Sequence, residues 1–167
     1  IFMHEIIVEE IKAIAVAGSG HVGWPTIARK RDGELVVVYS GGRREHVCPF
    51  GQIHLITSND EGQSWTKPRI LVDGSLDDRD AGALETKTGT LIVNWFTSRL
   101  WELRMQNSTD PWQSYSETEK SDWQQQRQSL NDEIRQRELG AWLIRSQDGG
   151  QTWSEKIPTL VNSPHGP

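Results

Sequence analysis

The sequence predicts an all-β chain built from repeated four-stranded antiparallel sheets. Three observations carry this. One turn motif, S-x-D-x-G-x-[ST]-W, occurs twice, as Ser58-Asn59-Asp60-Glu61-Gly62-Gln63-Ser64-Trp65 and as Ser146-Gln147-Asp148-Gly149-Gly150-Gln151-Thr152-Trp153. Each copy follows a short apolar run, residues 53–57 or 141–145, and precedes a second strand-like piece, residues 69–72 or 157–161. Two hairpin signals, Asp32-Gly33 and Thr88-Gly89, stand at matching places ahead of the two copies. The motif suits a turn: the Asp carboxylate accepts backbone N–H groups, the Gly takes a positive φ, and the Trp covers the hairpin. A repeated sheet unit of this kind is the sequence signature of a β-propeller.

The elements follow in order. In the first unit, strand A is residues 24–28, the turn 31–33, strand B 34–39, strand C about 52–58 and strand D 69–72. In the second, strand A is residues 81–86, the turn 87–89, strand B 90–96, strand C 141–146 and strand D 157–161. The near-continuous apolar B strands fit sheets buried on both faces. Between strands B and C of the second unit lies a polar insertion, about residues 99–139. Asp110-Pro111 reads as an N-cap followed by Pro at the first helical position, and Ser121-Asp122-Trp123-Gln124 as a capping box. Trp123, Leu130 and Ile134 form one candidate apolar stripe, so two short helices are expected.

Residues 1–167 are therefore expected to be a partial β-propeller domain: blade one about 20–73, blade two about 78–162, and the start of a third at 163–167. A closed propeller needs four or more blades, so further sequence or another chain is expected to complete it. Open propeller edges would favour self-association.

The formal net charge is −5 over 167 residues, with both signs interspersed, which argues against a nucleic-acid partner. No segment approaches the roughly 18 apolar residues of a membrane span. Cys48 is the single cysteine, which excludes an internal disulfide. Eight Trp serve blade packing, sugar stacking or both.

In an up-and-down sheet the A–B and C–D turns share one end, and the B–C loops share the other with the crossings between blades. The two repeated turns are C–D turns and read as structural. The other end collects His21 and Trp24, the loop Arg43-Arg44-Glu45-His46, the run Asp77-Asp78-Arg79-Asp80, the insertion, and His165. Arg43, Arg44 and Arg79 suit a substrate carboxylate through the guanidinium fork, and His21, Trp24 and His165 complete a substrate-binding set. His46 and Glu45 suit proton transfer, and crowded carboxylates at Asp78 and Asp80 suit a general acid. The plainer alternatives are a solvated charged loop and a rim ion-pair network. No spacing points to a metal or a cofactor. His54 and Cys48 read as structural.

The run from Gly23 to Trp65 resembles the first blade of the sialidase (neuraminidase) superfamily, and the repeated turn resembles its Asp-box. Gly23-Trp24-Pro25-Thr26-Ile27-Ala28 occupies the place of that family's Arg-Ile-Pro segment, and Ser40-Gly41-Gly42-Arg43-Arg44 matches its Gly-Arg-rich stretch. Asp80-Ala81-Gly82-Ala83-Leu84 through Thr88-Gly89-Thr90-Leu91 matches the opening of the second blade, so the resemblance covers most of the chain except the insertion. It implies an exo-acting glycoside hydrolase for sialylated or other acidic glycans, with a secreted or periplasmic location. Three arginines would hold the substrate carboxylate, an Asp would be the acid/base, and a Tyr paired with a Glu the nucleophile. Two departures stand out. Trp24 replaces the first arginine, and the loop 45–50 holds no Asp, so His46 or Glu45 would substitute. The nucleophilic Tyr and later arginines would lie beyond residue 167. The alternatives are a non-catalytic carbohydrate- or protein-binding propeller and an inactive truncated fragment.

Overall fold

Turn chemistry sets the strand boundaries. In the computed structural model, which describes residues 8, 10–16, 20–107, 109 and 111–163, eight strands form two four-stranded antiparallel sheets. The first runs in the order β1 (His21–Arg29), β2 (Leu35–Arg43), β3 (Gln52–Ser58), β4 (Arg69–Val72). The second runs β5 (Asp77–Glu85), β6 (Leu91–Ser98), β7 (Ala141–Ser146), β8 (Ile157–Pro158).

The two hairpins opening the sheets close alike. Lys30 N–H donates to Glu34 O at 2.8 Å and Gly33 N–H to Lys30 O at 3.0 Å; Thr86 N–H donates to Thr90 O at 2.8 Å and Gly89 N–H to Thr86 O at 3.0 Å. Gly33 (φ +95°) and Gly89 (φ +86°) hold the left-handed position, where a β-carbon is strained. The S-x-D-x-G-x-[ST]-W turns also superpose in chemistry. The Ser58 hydroxyl accepts Gly62 N–H at 2.9 Å, and the Asp60 carboxylate accepts Ser64 N–H at 2.9 Å. Ser146 accepts Gly150 N–H at 2.8 Å, and Asp148 accepts Thr152 N–H at 3.0 Å. Each Trp indole N–H bonds back into its own turn, Trp65 to Gly62 O at 3.1 Å and Trp153 to Gly150 O at 3.2 Å.

Several boundaries differ from the sequence reading. β1 begins at His21 rather than residue 24, β2 extends to Arg43, and β5 begins at Asp77 rather than residue 81. Both first strands carry a break in register, between Gly23 and Thr26 and between Arg79 and Gly82. A left-handed residue stands in each break, Trp24 (φ +51°) and Asp80 (φ +53°). A bulge shifts the alternation by one residue, which hides the first part of each strand from a period-two reading. β8 stops at Pro158 instead of residue 161.

Among its described residues the insertion holds three helices, not two: α1 (Leu100–Gln106), α2 (Glu117–Ser129) and α3 (Asp132–Glu138), with a 3-10 turn at Pro111–Ser114. Asp110 lies outside the described residues. The capping box is Ser116 with Glu119, whose N–H reaches Ser116 Oγ at 3.3 Å; Ser121 sits inside α2. Asn131 caps α3 through Ile134 N–H at 2.7 Å.

Strand alternation divides the core. Val36, Val38, Ile53 and Leu55 of the first sheet meet Ala81, Leu91, Val93, Trp95, Trp142 and Ile144 of the second. Val37, Tyr39 and Ile56 occupy the opposite face, with Val22, Ala15 and Trp65 against them. Thr26 Oγ1 donates to Ala81 O at 2.9 Å, and Arg69 bonds to Gly150 O, which joins the sheets at both ends. The insertion has a separate aromatic core of Trp101, Trp112, Trp123 and Leu130, with Ile134 packed against it. Val47 and Leu76 enter this core, so the helices grip the β2–β3 loop and the crossing before β5.

Candidate functional site

Period two on β5 sends Asp77 and Arg79 to one side and Asp78 to the other. Asp77 is fully buried and receives the fork of Arg43, Nη1 at 2.5 Å and Nη2 at 2.9 Å, together with Arg79 Nη1 at 3.3 Å. Both guanidiniums then reach the backbone of the β2–β3 loop. Arg43 Nη2 donates to His46 O at 2.7 Å, and Arg79 Nη1 donates to the same oxygen at 3.2 Å. The Trp24 ring lies over both cations, 5.4 Å from Arg43 Cζ and 4.9 Å from Arg79 Cζ. Its left-handed backbone, inside the β1 bulge, aims the indole there.

Above this network stand two imidazoles. The His46 ring meets Trp24 edge-on at 4.9 Å, and His21 lies 5.4 Å from Trp24 and 6.1 Å from His46. His46 is exposed, while its carbonyl is held from below. Asp80, in the β5 bulge, donates its N–H to Ser40 Oγ at 2.9 Å. Its Oδ1 is buried with no hydrogen-bond partner among the described residues, and the same holds for Nε of Arg43 and Arg79.

The charges act on one another. Burial lowers the His46 pKa, and the positive charges of Arg79 and Arg43 and then His21 lower it further; Asp80 opposes them. With an ordinary value of about 6.5, the ring is therefore neutral at pH 7. Burial raises the Asp77 pKa, and Arg43 and Arg79 oppose that rise without cancelling it. Removing one partner of such a buried pair costs about 3–5 kcal/mol, because it strands the other charge.

Arg44, Glu45 and Asp78 go elsewhere. Arg44 pairs with Asp122 of α2 at 2.6 Å and lies over the Phe50 ring at 4.8 Å. Glu45 pairs with Arg104 of α1 at 3.0 Å and accepts the Tyr115 hydroxyl. Burial first, then Glu45, pushes Tyr115 up to about 12, which keeps it a phenol. Asp78 accepts Gly74 N–H and Trp95 Nε1–H, both at 2.7 Å, and burial pushes its carboxyl up to about 7. It faces a separate cavity of about 320 Å3 with Trp95, Trp142 and Lys156. His165 lies outside the described residues. Thus the structure groups His21, Trp24, Arg43, His46, Arg79 and Asp80 at one end of the sheets. The sequence placed Asp77 in the charged run without a site role of its own; it is the common anion of both arginines, as the ion-pair alternative anticipated. Its spacing of two from Arg79 on a strand was the available signal.

Among the described residues no group of three or more His, Cys, Asp or Glu could hold a metal ion. No described helix is long and apolar enough to cross a membrane.

No protein-family model matches the chain, and no curated protein matches it. Among solved structures, it is similar to a protein of unknown function from Dyadobacter fermentans DSM 18053, at 22% identity and a TM-score of 0.53, over 83% of this chain and 36% of that one. It is also similar to a Hadza microbial sialidase, at 21% identity and a TM-score of 0.49, over 82% of this chain and 25% of that one. The chain thus spans well under half the length of either protein. The Dyadobacter likeness is one of fold, a mostly β arrangement.

Proposed function

We propose that the two sheets are adjacent blades of a sialidase-like β-propeller and that the mouth formed by His21, Trp24 and His46 is part of the glycan site of a glycoside hydrolase. Blade one takes in about residues 20–73 and blade two about 78–162, the helices being an insertion in the second. The supporting features are the repeated meander, the repeated turn and the face-to-face core. The observation that carries the functional reading is the convergence of Trp24 and His46, from two separate segments, over the Arg43–Asp77–Arg79 network.

An indole beside two imidazoles suits a pyranose: the ring stacks, and the nitrogens exchange hydrogen bonds with hydroxyls. His46 is neutral and exposed, so it can accept a proton, and the nearby Asp80 charge stabilises the imidazolium that results. The insertion holds the loop in place through the Arg104–Glu45 and Arg44–Asp122 pairs just ahead of His46.

One observation favours a second reading, a non-catalytic glycan-binding propeller. Glycosidases generally work with paired carboxyl groups. Here Glu45 and Asp78 are engaged elsewhere, which leaves Asp80 as the carboxylate acting on His46. The test is a glycoside panel run on the protein that contains this chain, wild type beside His46→Ala and Asp80→Ala. Loss of about 10²–10⁴-fold in kcat for His46→Ala supports the hydrolase. Binding without turnover supports the second reading. Full activity in both variants removes this mouth from the reaction.

A further inference from the structure

We propose that this mouth selects an uncharged sugar over a carboxylate-bearing one, and that Asp77 is the residue that sets the choice. The inference rests on the glycan reading above and names its substrate class.

A carboxylate needs a cation it can reach. The two arginines beneath the mouth are out of reach: the Arg43 side chain is 0% exposed and that of Arg79 2%. Both η nitrogens of Arg43 and Nη1 of Arg79 are already engaged, and the two Nε atoms are buried. Asp77 takes the fork of Arg43 in the bidentate geometry that a substrate carboxylate would use, and it takes Arg79 Nη1 as well. Arg43 Nη1 also reaches Asp78 O, and Arg43 Nη2 and Arg79 Nη1 share His46 O. Trp24 then closes the top, with its ring within 5.4 Å of both guanidinium carbons. A substrate anion would have to displace the indole and the Asp77 carboxylate together.

Among the described residues, the other cations near the mouth are engaged or disfavoured. Arg44 is paired with Asp122 and lies over Phe50. His46 is discouraged from protonating by partial burial first and then by the two arginine charges beside it. The charge of Asp80 acts on the same ring and would repel a second carboxylate. The two guanidiniums share Asp77, and the charge of Asp80 acts on Arg79 as well. The mouth is an indole with two imidazoles against it, chemistry that fits the C–H face and hydroxyls of a neutral pyranose.

The test uses matched glycoside pairs that differ in the carboxylate: glucoside and glucuronide, galactoside and galacturonide. Dissociation constants are measured by calorimetry on the protein that contains this chain, for wild type, Asp77→Asn and Trp24→Ala, with circular dichroism confirming folding. Wild type is expected to bind the uncharged member of a pair at least tenfold tighter. Asp77→Asn removes the carboxylate that both guanidiniums share and should shift that ratio at least tenfold toward the acid. Trp24→Ala uncovers the guanidiniums, should weaken the neutral sugar, and serves alone if Asp77→Asn does not fold. A wild-type preference for the acidic members overturns this inference while the glycan reading stands. An unchanged ratio in the folded variants overturns the role of Asp77. Binding to no member of any pair removes the glycan reading itself, and this inference with it.

Discussion

Asp60 organises a whole turn with one carboxylate. It accepts the Ser64 amide and hydroxyl and the Ser58 hydroxyl, and these bonds, the Ser64 hydroxyl foremost, hold its pKa down to about 2. Asp148 is held well below the ordinary carboxylate range by Ser146 first and then Thr152. A pKa depressed in the folded state contributes stability above the unfolded value, about 3.9 for Asp, and loses it as pH falls through the folded value. Asp60→Asn should therefore lower the urea midpoint at pH 7. The gap between wild type and variant should close as pH falls from about 4 toward 2. Midpoints measured against pH check this, and a gap that persists at pH 2 would refute it. Neighbouring carboxylates can meet opposite fates at this scale. Asp77 and Asp78 adjoin in sequence, yet one binds two arginines and the other an indole N–H across the strand. Composition marks such a cluster as chemically interesting; only the strand phase says which member faces which side.

The insertion shows how an element can serve a site it does not line. Trp123 of α2 is 1% exposed and sits among Trp101, Trp112 and Tyr115, with Arg104 Cζ 5.8 Å from its ring. Arg104 holds Glu45, and Val47 packs into the same cluster, so the aromatic core reaches the loop that carries His46. Trp123→Ala should cost about 3–5 kcal/mol. It should also raise amide exchange in residues 44–50 more than in β2 and β3. Hydrogen exchange by mass spectrometry reads both, and loop protection equal to wild type would separate the insertion from the site. Legibility differs sharply between elements. β3, β4 and β7 lie where the repeated turn places them, because that turn fixes its own flanks. The helices were legible as an insertion but not in number: the Ser116–Glu119 box lies one turn ahead of a similar-looking Ser121. Trp123, Leu130 and Ile134 do meet, but from α2, its C-cap and α3 rather than along one helix. The early parts of β1 and β5 were hidden by the bulges at Trp24 and Asp80, which also deliver the site.

At the scale of the molecule, the two sheets depend on one another. Val36, Val38, Ile53 and Leu55 have their apolar partners on the second sheet, and Ala81, Leu91, Val93, Trp95, Trp142 and Ile144 have theirs on the first. The first sheet alone, His21 to Val72, is shorter than the roughly 60 residues at which isolated domains become marginal. Split apart, each sheet would expose a full apolar face to water. They should therefore unfold as one unit, with the site, which draws Arg43 from one sheet and Asp77 from the other, lost in the same step. Ile53 tests this. It is fully buried in the shared core, pairs with Ser40 and Val72 within its own sheet, and belongs to no strand of the second. Ile53→Ala should cost about 2–5 kcal/mol. If the sheets are one cooperative unit, native-state hydrogen exchange will show the most protected amides of β6 losing the same free energy as those of β2. Protection that falls in β2 and holds in β6 would mean that each sheet carries its own stability, and that the Arg43–Asp77 contact joins two independently folded halves.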